Sequence, residues 1–179
     1  MQYYKELEVN HFDVIVNKTI TYIKERTSIL DVPFDYNWYA VNFVDLVKYV
    51  PELDDAFKQY SLVPNFAAFF VVYNNKSTQI HKDMYPLTSR VNFPILNCKG
   101  TYTDYYKNVV FQKTTNLITG ISSYQVTNTD YELVDSVEIK KATLLNVQEA
   151  HKVEVPDGNP IPRITLTIGF DKDPTFLLN

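Results

Sequence analysis

The chain has 179 residues, 45% of them hydrophobic, and a formal net charge of −4, which suits one globular domain with a sizeable core and excludes a disordered chain. No basic run occurs beyond Lys140-Lys141, so a nucleic-acid partner is not expected. One cysteine, Cys98, leaves no intrachain disulfide, no signal peptide is visible, and the longest apolar stretch (Ala67 to Tyr73) is too short for a bilayer; the expectation is a soluble, cytoplasmic protein with no membrane partner.

The first third of the chain reads helical. Phe12, Val16, Ile20 and Ile23 recur at helical steps, which predicts a helix over Phe12 to Lys24. A second is expected over Asn42 to Tyr49, with Phe43, Leu46, Val47 and Val50 on its apolar side. Pro51 opens a third, where Glu52, Asp54 and Asp55 suit the positive end and Leu53, Phe57 and Tyr60 face the core. The stretch from Asp35 to Tyr39 reads as a polar-aromatic loop.

From about residue 66 the pattern changes to short strands broken by turn residues. They are expected at Phe66–Tyr73, Gln79–His81, Ser89–Leu96, Val109–Phe111, Ile118–Val126, Tyr131–Ile139, Ala142–Val147, His151–Val155 and Arg163–Phe170. The turn signals between them are Asn74-Asn75, Lys99-Gly100, Asn128 to Asp130 and Asp157-Gly158. This grammar predicts a mainly β fold with N-terminal helices: a double-stranded β-helix, or jelly-roll and cupin-like barrel, flanked by helices. A single domain is expected over 1–179, with the helical segment 1–62 packed on a β-core spanning 63–179.

Two of the three histidines carry the functional signal. On a strand His81 and Asp83 share a face while Lys82 points away, so both aim at one point. His151 supplies a third ligand from a strand brought near by folding. Two imidazoles and a carboxylate form the facial triad that holds non-haem Fe(II) with open positions. Arg163, twelve residues after His151, begins an Arg-x-Thr step with Thr165 and is suited to grip a carboxylate. If Val155 pairs with Ile161 across the turn from Pro156 to Pro160, then Arg163 lies opposite Val153 and Thr165 opposite His151. The ligands and the anion clamp then share one face, and Ile164, Leu166, Ile168 and Phe170 form the other. His11, ahead of the first helix, reads as a structural or surface residue.

The segment Ser89-Arg90-Val91-Asn92-Phe93-Pro94-Ile95 extends the pattern. With it, the chain resembles the Fe(II)/2-oxoglutarate-dependent oxygenases, in particular their aspartyl/asparaginyl β-hydroxylase-like branch. There an arginine follows the first histidine by nine residues and a polar residue comes two further on; here these positions are His81, Arg90 and Asn92. The branch often has histidine where this chain has Asn92, and its best-known animal member lacks the carboxylate that Asp83 provides. The resemblance spans about residues 66–170. It implies Fe(II) held by His81, Asp83 and His151, and 2-oxoglutarate chelating the metal through its 1-carboxylate and 2-keto oxygens. Arg163 and Thr165 would bind the distal carboxylate, and Arg90 and Asn92 would approach the chelating end. Read from the residues alone, Arg90 also fits a salt bridge inside the sheet and Asn92 a hydrogen bond to a neighbouring strand. Tyr102, Tyr105 and Tyr106, like Trp38 and Tyr39, fit core or rim packing better than ligand contact.

The functional expectation is a dioxygenase that hydroxylates a peptide side chain, a free amino acid or a small metabolite, with no nucleic-acid substrate. The competing readings are a cupin-like metal protein of another reaction class, which needs no Arg163, and a non-enzymatic jelly-roll module for carbohydrate binding or a viral structure. A zinc hydrolase fits less well, because no general base stands beside the triad.

Overall fold

The structure is a computed structural model that describes residues 2–31, 36–74, 77–83, 89–115 and 122–179. Asp35, Asn75 and the start of the strand expected at Ile118–Val126 lie outside the described residues.

Strands β1 (Tyr4–Glu6), β2 (Tyr36–Val41), β3 (Pro64–Val72), β4 (Ser89–Leu96), β9 (Thr143–Asn146) and β11 (Arg163–Phe170) form an antiparallel sheet in the order β1-β9-β4-β11-β3-β2. A second sheet has the order β10-β5-β8, built from β5 (Tyr102–Lys107), β8 (Glu132–Val137) and β10 (His151–Glu154). Strands β6 (Phe111–Thr115) and β7 (Ser122–Val126) pair as a separate hairpin. The protein is thus mainly β, with antiparallel sheets and few helices. No helix among the described residues is long and apolar enough to cross a membrane.

Alternation along the central strands divides two environments. On β11, Ile164, Leu166 and Ile168 are fully buried in one large apolar cluster with Val91 and Phe93 of β4 and Phe69 and Val71 of β3. Helices α1 (Phe12–Arg26), α2 (Phe43–Tyr49) and α3 (Glu52–Asp55) close that face with Ile15, Tyr22, Ile23, Leu46 and Leu53. Each such side chain contributes about 1.5–3 kcal/mol on leaving water. The deepest face of α1 is Ile15, Thr19, Tyr22 and Ile23, while Phe12, Val16 and Ile20 flank it, half-buried. The expected helical stripe is therefore turned towards Ile15 and Tyr22. Tyr22 Oη reaches Asp45 of α2 (3.1 Å), which lets an aromatic ring with a polar tip occupy the seam.

The opposite face of the large sheet meets the second sheet through two apolar clusters. Phe70 and Val72 pack with Val153 and Val155 at one end; Leu145 and Val147 pack with Tyr105, Val137 and Ile139 at the other. Polar residues fill the space between them, as described below.

Several sequence expectations require correction. Gln79–His81 forms only an isolated bridge at His81, and in place of a strand at Val109–Phe111 pairing begins at Phe111. Tyr36–Val41 is strand β2 on the edge of the large sheet, pairing with β3, and not a loop. Its Tyr, Trp and Val residues suit a pleated edge, and β3 offers a free side to pair with. Residues 1–62 are accordingly not only helical, since they supply both edge strands, β1 and β2. Strand β5 was not expected either, and it is the centre of the smaller sheet. Finally, β10 and β11 do not form a hairpin. Strand β10 pairs with β5, whereas β11 inserts between β3 and β4. The intervening segment carries the chain from one sheet to the other, through a turn closed by Asn159 N–H donating to the Pro156 carbonyl (3.2 Å). Gly158, at φ +85°, takes the left-handed conformation that such a turn needs.

Candidate metal centre

The segment 77–83 is no strand of either sheet; it lies along the free edge of β10, joined by an isolated bridge between His81 and His151. His81 N–H donates to the His151 carbonyl (2.8 Å) and His151 N–H returns a bond to His81 (2.9 Å). Thr78 N–H to Val153 (2.9 Å) and Asp83 N–H to Val147 (2.9 Å) hold the two ends of the segment. His81 and His151 are thereby direct cross-strand neighbours, with ring centroids 4.4 Å apart. Asp83 follows two residues later. One ligand atom from each of His81, Asp83 and His151 falls within 4.8 Å of the others. The three residues singled out from sequence are brought together.

Both imidazoles use the same local device. Nδ1 of His81 lies 2.8 Å from the Gln79 carbonyl, and Nδ1 of His151 lies 2.8 Å from the Glu149 carbonyl. A carbonyl only accepts, so each Nδ1 carries a proton, and Nε2 is the ring nitrogen left to face a metal. That tautomer is the one a metal requires, and the backbone partner fixes the plane of the ring. Burial pushes the pKa of His151 down to about 3, with His81 and Arg90 adding to the shift against the opposing Glu149 carbonyl. His151 is therefore neutral at physiological pH and available as a ligand. His11 is exposed at the N-terminal end of α1 and takes no part in the cluster.

Arg90 stands beside the carboxylate of the cluster. Its Nε lies 3.3 Å from Asp83 Oδ2, an ion-pair distance, though the atoms are not aligned as a hydrogen bond. The guanidinium carbon sits 4.7 Å from the centre of the Trp38 ring and 5.9 Å from that of Phe66. Burial lowers the Arg90 pKa, and Asp83 opposes that shift. Such a flat cation, stacked on rings and paired on its edge, anchors Asp83 in a way lysine cannot reproduce. The salt bridge that competed with ligand contact as a reading of Arg90 is present, and its partner is the candidate metal ligand Asp83. Asn92 Oδ1 accepts a bond from Thr167 Oγ1 (2.7 Å), the neighbouring-strand contact that was the alternative to ligand contact.

Arg163 and Thr165 reach the same cavity from the other sheet. Their side of β11 faces β10 across the sandwich instead of lying beside it in one ladder, so the shared site arises between layers. Arg163 is 1% exposed, and among the described residues no carboxylate forms an ion pair with it. Its Nε donates to Thr101 Oγ1 (3.0 Å), while its Nη1 is buried with no hydrogen-bond partner among the described residues. Burial lowers its pKa, and Cys98 opposes that shift. A guanidinium is rarely buried without an anion, so an orphaned Nη1 marks a place for one.

The cavity is tight, with a volume of about 40 Å³. All seven residues assigned from sequence line it: His81, Asp83, His151, Arg90, Asn92, Arg163 and Thr165. Phe70, Thr103, Leu145, Val147, Val153 and Thr167 complete its wall. Those residues were not anticipated, because ordinary apolar and hydroxyl side chains on strands carry no motif. Trp38, 44% exposed, is at the cavity, whereas Tyr39 turns away to bond Tyr73 Oη (2.8 Å). Tyr105 is fully buried and stacks on Tyr3; neither it, Tyr102 nor Tyr106 lines the cavity.

No protein-family model matches the chain, and no characterised protein matches its sequence. Among solved structures it is similar to AviO1 from Streptomyces viridochromogenes Tue57, with a TM-score of 0.49 and 11% identity over 96% of this chain and 90% of that one. A likeness of that size leaves the functional reading to the site itself.

Proposed function

We propose that this protein is an Fe(II)/2-oxoglutarate-dependent dioxygenase on a double-stranded β-helix, hydroxylating a small metabolite, a free amino acid or a peptide side chain in a reducing, cytoplasmic setting. The observation that carries the reading is one cavity lined by both a two-histidine, one-carboxylate cluster and a buried arginine with an unpartnered Nη1. The strand order supports the fold: β9-β4-β11-β3 on one side opposes β8-β5-β10 and the paired segment 77–83 on the other. Four extended segments to each layer is the jelly-roll count.

The residues present fit both groups. His81, Asp83 and His151 would hold the metal, the donor set that suits Fe(II) with open positions. Iron and co-substrate would supply the redox chemistry: O₂ oxidatively decarboxylates 2-oxoglutarate to succinate and CO₂, and its second oxygen atom goes to the substrate. The chain's own residues position the reactants. Arg163 donates to the distal carboxylate with its free Nη1, and Thr165 adds a hydroxyl to the same end. Arg90 keeps Asp83 in place through its Nε edge. Phe70, Leu145, Val147 and Val153 exclude water from the walls.

A cupin-like metal protein of another class needs the cluster but not a buried, unpaired cation. A non-enzymatic module needs neither. Both leave the Arg163 desolvation without an offset.

Anaerobic addition of Fe(II) and 2-oxoglutarate is expected to give a visible charge-transfer band. Asp83→Ala should abolish it and His11→Ala should retain it. A wild-type protein that shows no band would sink the proposal.

A further inference from the structure

Two hydroxyls near Arg163 stand in opposite states. Thr101, just ahead of β5, accepts from Arg163 Nε (3.0 Å) and donates its own proton to the Cys98 carbonyl (2.8 Å). Its bonding is complete. Thr103, two residues further and inside β5, is 1% exposed, and its Oγ1 has no hydrogen-bond partner among the described residues. Its neighbours across the ladder are Val153 and Val137, neither of which offers a polar side-chain atom. Yet Thr103 lines the cavity that Arg163 and Thr165 also line.

A buried hydroxyl without a partner is costly, and folded proteins rarely tolerate one unless something else completes it. Here two unpartnered donors, Thr103 Oγ1 and Arg163 Nη1, belong to the wall of one cavity. Both have protons to give. A carboxylate has only acceptor sites, about four of them, and satisfies both at once. A cationic ligand would leave Arg163 worse off than before.

We propose that Thr103 is a further binding residue for the carboxylate taken by Arg163. The anion is then gripped from both layers, by a guanidinium of the six-stranded sheet and a hydroxyl of the three-stranded one. Thr101 acts as a positioning residue, since it holds the Nε edge and leaves Nη1 for the ligand. The inference rests on reading the cavity as the site of a dicarboxylate co-substrate, and it adds a specificity determinant on a strand that has no part in the Arg-x-Thr step.

Thr103→Val keeps the shape and removes the hydroxyl; Thr103→Ser keeps the hydroxyl. Binding of 2-oxoglutarate to the Mn(II)-loaded protein is measured by calorimetry, alongside Mn(II) affinity and the melting temperature of the ligand-free form. Thr103→Val should bind 2-oxoglutarate about tenfold more weakly, the usual worth of a hydrogen bond to a charged group. Its Mn(II) affinity should be unchanged, and its ligand-free melting temperature equal to or above that of wild type, because an unsatisfied hydroxyl is gone. Thr103→Ser should bind as wild type does. The inference is overturned if Thr103→Val binds 2-oxoglutarate as tightly as wild type, or if it loses stability without ligand. A wild type that takes up Mn(II) but no 2-oxoglutarate would instead remove the functional reading, and this inference with it.

Discussion

Strand β11 presents two faces made from alternate residues, and they obey different rules. Towards the helices, Ile164, Leu166 and Ile168 are fully buried among apolar partners and leave nothing unsatisfied. Towards the smaller sheet, Arg163, Thr165 and Thr167 are buried to the same degree, each 1% exposed, but among polar groups. That second wall contains a guanidinium with an unpaired Nη1, and the facing sheet contributes an unpaired Thr103 hydroxyl. Equal burial with unequal satisfaction separates a face that holds the fold together from a face that waits for a ligand. Stability should depend on the first, and binding on the second.

The largest effect is expected on the helix side. Phe93 stacks on Phe12 (5.9 Å) and meets Phe57 edge-on (6.0 Å), so Phe93→Ala removes a ring that ties β4 to α1 and to the turn after α3. Urea denaturation should show a loss of about 3–5 kcal/mol, while the folded fraction keeps its metal affinity. An unchanged midpoint would break the contrast between the faces.

A smaller effect is expected from the cavity side, and it depends on pH. His151 has its pKa lowered from 6.5 to about 3 by burial. Below about pH 6.5 the unfolded chain binds a proton that the folded chain refuses, so folding stability falls with decreasing pH until the folded pKa is reached. In chelator-treated protein, stability should decline over that window by on the order of a few kcal/mol, and His151→Ala should flatten the decline. A slope that survives the substitution would place the titrating group elsewhere.

Much of the site was legible in the sequence because its chemistry is local. The His-x-Asp step needs only the period of a strand to put both ligands on one face, and Arg163 stands out in a chain with few arginines. The boundaries of β4 and β11 were equally readable, from alternating apolar and polar residues between turn signals. Pairing was not. Alternation says which face a residue takes but not which strand lies beside it, so β10 and β11 looked like a hairpin. In the fold β11 buries both of its edges, against β3 and β4, and a hairpin would have satisfied only one. The segment that became β2 was hidden by flanking Asp and Asn, and β5 by a run of tyrosines that suited a rim as well as a strand. Thr103 had no sequence signal at all; only its burial without a partner marks it.

The central claim is that Arg163 is buried for a ligand and not for the fold. Arg163→Met tests it most directly, with melting temperatures recorded for metal-free protein and for protein with Mn(II) and saturating 2-oxoglutarate. Removing a desolvated, unpaired cation should leave the metal-free protein as stable as wild type or more so. The same change should weaken 2-oxoglutarate binding by about a hundredfold and erase the stabilisation that it gives wild type. A metal-free variant that melts well below wild type, yet keeps its full response to 2-oxoglutarate, would contradict the account.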